Sequence, residues 1–120
     1  MARHAALIAT WSHPIPGREA AALKTFQQSQ EFWKRMASEG KCSETQVWMM
    51  ADASSGMSIV EGDADSLTAI VESDEYEKIN DEANLCVQDF KRSLYHGGAS
   101  EEVGHIMRNW QAAAQEVGIL

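Results

Sequence analysis

Residues 47–50 read Val-Trp-Met-Met, and they constrain the fold more than any other stretch of the chain. They lie in "SETQVWMMAD" (43–52), which reads as a strand. Side chains of a strand point alternately to its two faces, so Val47 and Met49 share one face and Trp48 and Met50 the other. Both parities are apolar, and a sheet apolar on both sides must be covered on both. One layer of helices satisfies one face. The other needs a further element or a second molecule.

The surrounding segments supply the rest of that sheet. "ASSG" (53–56) has turn chemistry and "MSIVEG" (57–62) reads as the returning strand of a hairpin. Upstream, "AALIATW" (5–11) is a short apolar run that reads as a doubly buried strand. Pro14 and Pro16 cannot extend a sheet ladder, and Gly17 allows a turn. From Arg18 the period becomes helical: Leu23, Phe26, Trp33 and Ala37 form a stripe that Ala22 and Met36 widen. Gly40 ends this helix of about 20 residues.

Asp63 or Asp65 can cap a second helix presenting Leu67, Ile70 and Val71, and Ser73 can cap its continuation with Tyr76, Ile79 and Ala83. The result is a broken helix over about 64–84. "LCVQDFKRSLYHG" (85–97) reads as a fourth strand, broken by Gly97 and Gly98. Ser100 then caps a last helix whose stripe is Val103, Ile106, Met107, Trp110, Ala114 and Val117. The order βαββαβ plus a helix predicts one ferredoxin-like α+β domain over 1–120, with an antiparallel sheet in spatial order 4-1-3-2.

This element order, the strand–Trp–Pro–Gly–helix entry from Ala5 to Arg18, the "SIVEGDADSL" passage and the C-terminal helix together resemble the dimeric α+β-barrel superfamily over roughly 5–116. The resemblance implies a homodimer in which two four-stranded sheets face each other. It also implies that a ligand site lies between sheet and helices of one subunit. Members include cofactor-independent oxygenases, haem-degrading enzymes and isomerases of ring-cleavage pathways, so the fold assigns no reaction. Haem-degrading members commonly place an Asn, a Trp and a His around the pocket. Here the first strand has no Asn; Asn80, Asn84 and Asn109 all fall on predicted helices. No cofactor and no catalytic residue is carried over.

Charge and cysteine content narrow the partners. A net charge of −8 disfavours nucleic acid, whose phosphates call for a Lys/Arg surface, and equally an anionic membrane. Cys42 and Cys86 match no metal spacing and read as free thiols of a cytoplasmic protein. The apolar run near the N-terminus is too short to span a membrane and ends in Trp-Ser-His-Pro, unlike a signal cleavage site. The acids between Glu61 and Glu82 lack calcium-loop spacing and read as helix caps and a solvated face. No metal site is expected.

Two readings stand for the candidate chemistry. In one, Trp11, Trp48, Met50 and Phe90 line the apolar pocket of a small-molecule-binding protein of unassigned activity or, alternatively, of a cofactor-independent oxygenase or isomerase with His13 or His96 as proton carrier. In the other, Trp11 packs in the core, His13 is a solvated turn residue, and Trp48 with the methionines forms a dimer seam. A purely structural module with a filled core is the third possibility for the whole chain. The predicted topology sets His96 nearer His4 than His13.

Overall fold

The computed structural model describes residues 3–120. Four strands, β1 (His4–Trp11), β2 (Gln46–Met49), β3 (Gly56–Asp63) and β4 (Lys91–His96), form one antiparallel sheet in the order β2-β3-β1-β4. Four helices accompany them: α1 (Glu19–Ser38), α2 (Ala64–Val71), α3 (Asp74–Cys86) and α4 (Ser100–Glu116). The architecture is the ferredoxin-like α+β arrangement with an added C-terminal helix, in the strand order read from the sequence.

Register decides which side chains meet. Leu7 lies opposite Val60 and Leu94, and Ala9 lies opposite Ser58 and Arg92. These residues face the helices, where Ala5, Leu7 and Val60 are buried against Phe32, Trp33, Met36, Leu67, Ile70 and Tyr76. The opposite parity carries Ile8 against Ile59, and Thr10 against Met57, which in turn pairs with Trp48. Among the described residues, nothing covers this second face: Trp48, Met57 and Tyr95 are exposed.

Local chemistry sets the helix ends. Gly40 takes φ 74°, letting its N–H and that of Lys41 close on Ala37 and Met36. The Asp63 carboxylate accepts from Ser66 N at 3.2 Å, and Ser73 Oγ accepts from Tyr76 N at 3.3 Å. Those two caps start α2 and α3 and break the helix between them.

Four expectations are corrected. The fourth strand is shorter than 85–97, because α3 continues through Leu85 and Cys86 and Asp89 takes a left-handed φ of 53°. Pairing then starts at Lys91, which leaves Phe90 outside the strand. The second strand shrinks to Gln46–Met49, with Met50 held in the following turn by its N–H to Ser55 O. Ser100 is the first residue of α4 and not its cap; Ala99 holds that position and makes no side-chain bond. On α1, Phe32 is buried, whereas Leu23 and Phe26 look into open space described below.

Candidate functional site: an aromatic cavity between sheet and helices

A cavity of about 420 Å³ lies between the helix-facing side of the sheet and helices α1 and α3. It exists because small residues meet there. Ala9 and Ser58 lie side by side across β1 and β3, and Ala22 on α1 and Ala83 on α3 stand above them. Large side chains close the perimeter: Trp11, Phe26, Trp33, Tyr76 and Phe90. Trp11 and Phe26 are tilted with ring centroids 6.0 Å apart, and Trp33 meets Tyr76 edge-on at 5.6 Å. Leu23, Met49 and Glu19 reach the cavity from more exposed positions.

Gly56 is required by this wall. A Cβ there would lie 2.6 Å from Met49 Sδ and 2.7 Å from Trp11 Cζ2. Its bare backbone lets both side chains lie over β3.

The corner after β1 is clamped to the chain leaving α3. Ser12 N donates to Gln88 O at 2.9 Å, Gln88 N returns to His13 O at 2.9 Å, and Ile15 N donates to Cys86 O at 2.8 Å. This ladder fixes Trp11 inward and brings Pro14, Val87 and Cys86 to the cavity's end. His13 itself is exposed and does not line the cavity. His96 pairs with Ala5, six residues back along β1 from Trp11 and so roughly 20 Å away. The two histidines are not brought together. His96 adjoins the His4 strand end, where Gly97 N donates to His4 O.

Of the four apolar candidates, Trp11 and Phe90 line the cavity, while Trp48 and Met50 do not. The reason for Trp48 is parity: Met49 lies opposite Gly56 on the helix side, so Trp48 beside it must take the outer face. Met50 has already left the strand. Phe26, Trp33 and Tyr76 do not stand out in the sequence as site residues, because a helical stripe reads first as core. The signal that could have found them is the set of small residues at Ala9, Ser58, Ala22 and Ala83.

Three polar groups in the lining stand out. Tyr76 is buried, and burial pushes its phenol above the ordinary value of 10 while the Arg92 guanidinium beside it pulls the other way. The Arg92 guanidinium carbon lies 5.2 Å from the Tyr76 ring centroid. Asn80 contributes a side-chain carbonyl, Oδ1, that is buried and has no hydrogen-bond partner. At the exposed margin, Glu19 Oε1 accepts from Gly17 N at 3.0 Å, which holds its carboxyl below the usual range. Among the described residues, no three His, Cys, Asp or Glu side chains gather as metal ligands.

Comparison with known proteins places the fold. No family model matches the sequence, and no curated protein matches it. Solved structures do. SnoaB of Streptomyces nogalater, a cofactor-independent oxygenase, superposes with a TM-score of 0.63 at 12% identity, covering 82% of this chain and 97% of its own. Protein PA3566 of Pseudomonas aeruginosa gives 0.60 at 17% identity, covering 82% and 98%. A conserved protein of unknown function from Bacteroides thetaiotaomicron gives 0.59 at 10% identity, covering 80% and 98%. The likeness is one of fold, in keeping with the element order and strand pairing above.

Proposed function

We propose that the protein binds a small, largely aromatic organic molecule in the cavity between the sheet and helices α1 and α3. One observation carries this reading: an apolar space of about 420 Å³, walled by five aromatic rings and a few polar groups. That size and composition are those of small-molecule pockets. A core filled for structure alone leaves few voids larger than a water molecule. Native mass spectrometry of protein from its own host tests the reading. Added small-molecule mass on the wild type, lost in Ala9→Leu, is expected. Bare protein, together with no saturable quenching of Trp11 and Trp33 fluorescence by aromatic probes, would sink it.

A second reading, a cofactor-independent oxygenase or isomerase, is favoured by Tyr76. It is a buried titratable group in the lining, with a displaced pKa and a guanidinium beside it. Displaced groups of this kind concentrate at functional sites. On this reading Tyr76 exchanges a proton with the bound molecule, in place of His13 or His96. Tyr76→Phe would then abolish turnover and spare binding. The fold neighbour SnoaB is an enzyme of the first kind.

The protein works as a homodimer in the cytoplasm. The uncovered sheet face bearing Trp48, Met57 and Tyr95 supports the first statement, and the free thiols of Cys42 and Cys86 support the second.

A further inference from the structure

We infer that α4 is an arm of that homodimer, and that its apolar stripe docks on the second copy of the chain. The inference goes beyond the sheet-to-sheet contact and rests on the homodimer proposed above.

Helix α4 is amphipathic, and among the described residues most of its apolar side is uncovered. Val103, Met107, Trp110 and Val117 recur along one side, and all four are exposed, Trp110 at 57%. Ala114 alone on the helix is buried, and its carbonyl accepts from Ile119 N in the turn that ends it. No other element packs extensively against α4 among the described residues. Its root is built to leave the sheet. Gly97 and Gly98 take φ values of 135° and 100°, which favour glycine, and the Gly97 N–H is tied to His4 O.

The molecule's shape measures the consequence. A compact chain of 120 residues has a radius of gyration of about 13.6 Å. This one measures 16.8 Å and is 52 Å long. A compact protein of this mass exposes about 6,450 Å². This chain exposes 7994 Å². The excess, roughly 1,500 Å² per chain, is about twice what each partner of an ordinary interface buries. Two copies that removed it would bury about 3,000 Å² in all, within the range of obligate homodimers.

A second copy is the occupant that satisfies both bare surfaces at once. Each chain carries an apolar helix face and an apolar sheet face, so a two-fold pair supplies cover for both with no third molecule.

The test uses the full chain, by sedimentation velocity over a concentration series, with small-angle scattering alongside. The wild type should be a dimer. Met107→Glu combined with Trp110→Glu should raise the dimer dissociation constant on the order of 100-fold or more. Far-UV circular dichroism should hold, because both side chains are largely exposed in their own chain. A variant that dimerises with the wild-type constant overturns the arm, and the sheet contact survives if Trp48→Glu dissociates it. A monomeric wild type overturns arm and dimer together. A radius of gyration near 14 Å would then mean that α4 folds back on its own sheet. Hydrogen exchange needs no variant: amides of 103–114 should become more protected as wild-type concentration rises. Protection independent of concentration across the dimerisation range counts against the arm.

Discussion

Helices α1 and α4 differ little as sequences and sharply as structures. Each is amphipathic, each ends at a glycine with positive φ, and each carries tryptophan on its apolar side. In α1, Trp33 is 4% exposed, between Phe32 and Tyr76. In α4, Trp110 stands in solvent. The difference shows what amphipathicity states and what it omits. A stripe says that a face requires cover. It does not say whether the cover is the chain's own core, a ligand or another molecule. The N-terminal half of α1 makes the point again, since Leu23 and Phe26 line the cavity, Phe26 beside Trp11.

The sharpest way to break the comparison is to remove both tryptophans in turn. Trp33→Ala should cost about 3–5 kcal/mol in urea unfolding, through lost burial and the cavity left behind. Trp110→Ala should change stability by no more than about 0.5 kcal/mol at dilutions where the chain is monomeric. A large Trp110 effect under those conditions would mean that α4 packs within its own chain.

The caps give a smaller contrast. Ser73 starts α3, which packs against α1, and Ser73→Ala should cost about 1 kcal/mol because Tyr76 N loses its acceptor. Ser100→Ala should stay within about 0.5 kcal/mol, because Ser100 caps nothing. Equal thermal shifts for the pair would contradict the cap assignment at Ala99.

The smallest effect concerns pH and tests how firmly α1 and α3 close over Tyr76. Burial holds its phenol above 10 in the folded state. Below that value the folded and unfolded chains both keep the proton, and its contribution is constant. Above it the unfolded chain ionises first, so stability declines as pH rises toward the folded value. Urea melts between about pH 9 and about pH 11 should show a steeper decline for the wild type than for Tyr76→Phe. Parallel curves would place the phenol in water.

Much of the fold was legible because its signals are local. The Gly40 stop, the Asp63 and Ser73 caps and the changes of hydrophobic period depend on neighbours within a few residues. The strand order followed from the element order. Other features were not legible from the same signals. The start of β4 turns on Asp89 adopting a left-handed φ after one more turn of α3, and nothing in "LCVQDF" announces that. The cavity was half legible. Trp11 and Phe90 are legible in the sequence, but Met49 takes the place expected of Trp48. Which parity of a strand faces the helices is settled by register with β3, here by Gly56 lying opposite Met49.

The sequence by itself determined the elements, their order, and the demand that both faces of the sheet be covered. Those follow from periodicity, caps and turn residues, which act over one or two turns of chain. Only the tertiary structure decided where that demand is met. It brought Ala9 and Ser58 together from strands far apart in the chain and set Ala22 and Ala83 above them, leaving space where four larger residues would have left none. It also sent α4 away from the sheet at Gly97 and Gly98, leaving two apolar faces on one chain. Cavities and uncovered faces are differences between volumes and surfaces supplied by distant segments, and no local pattern carries such a difference.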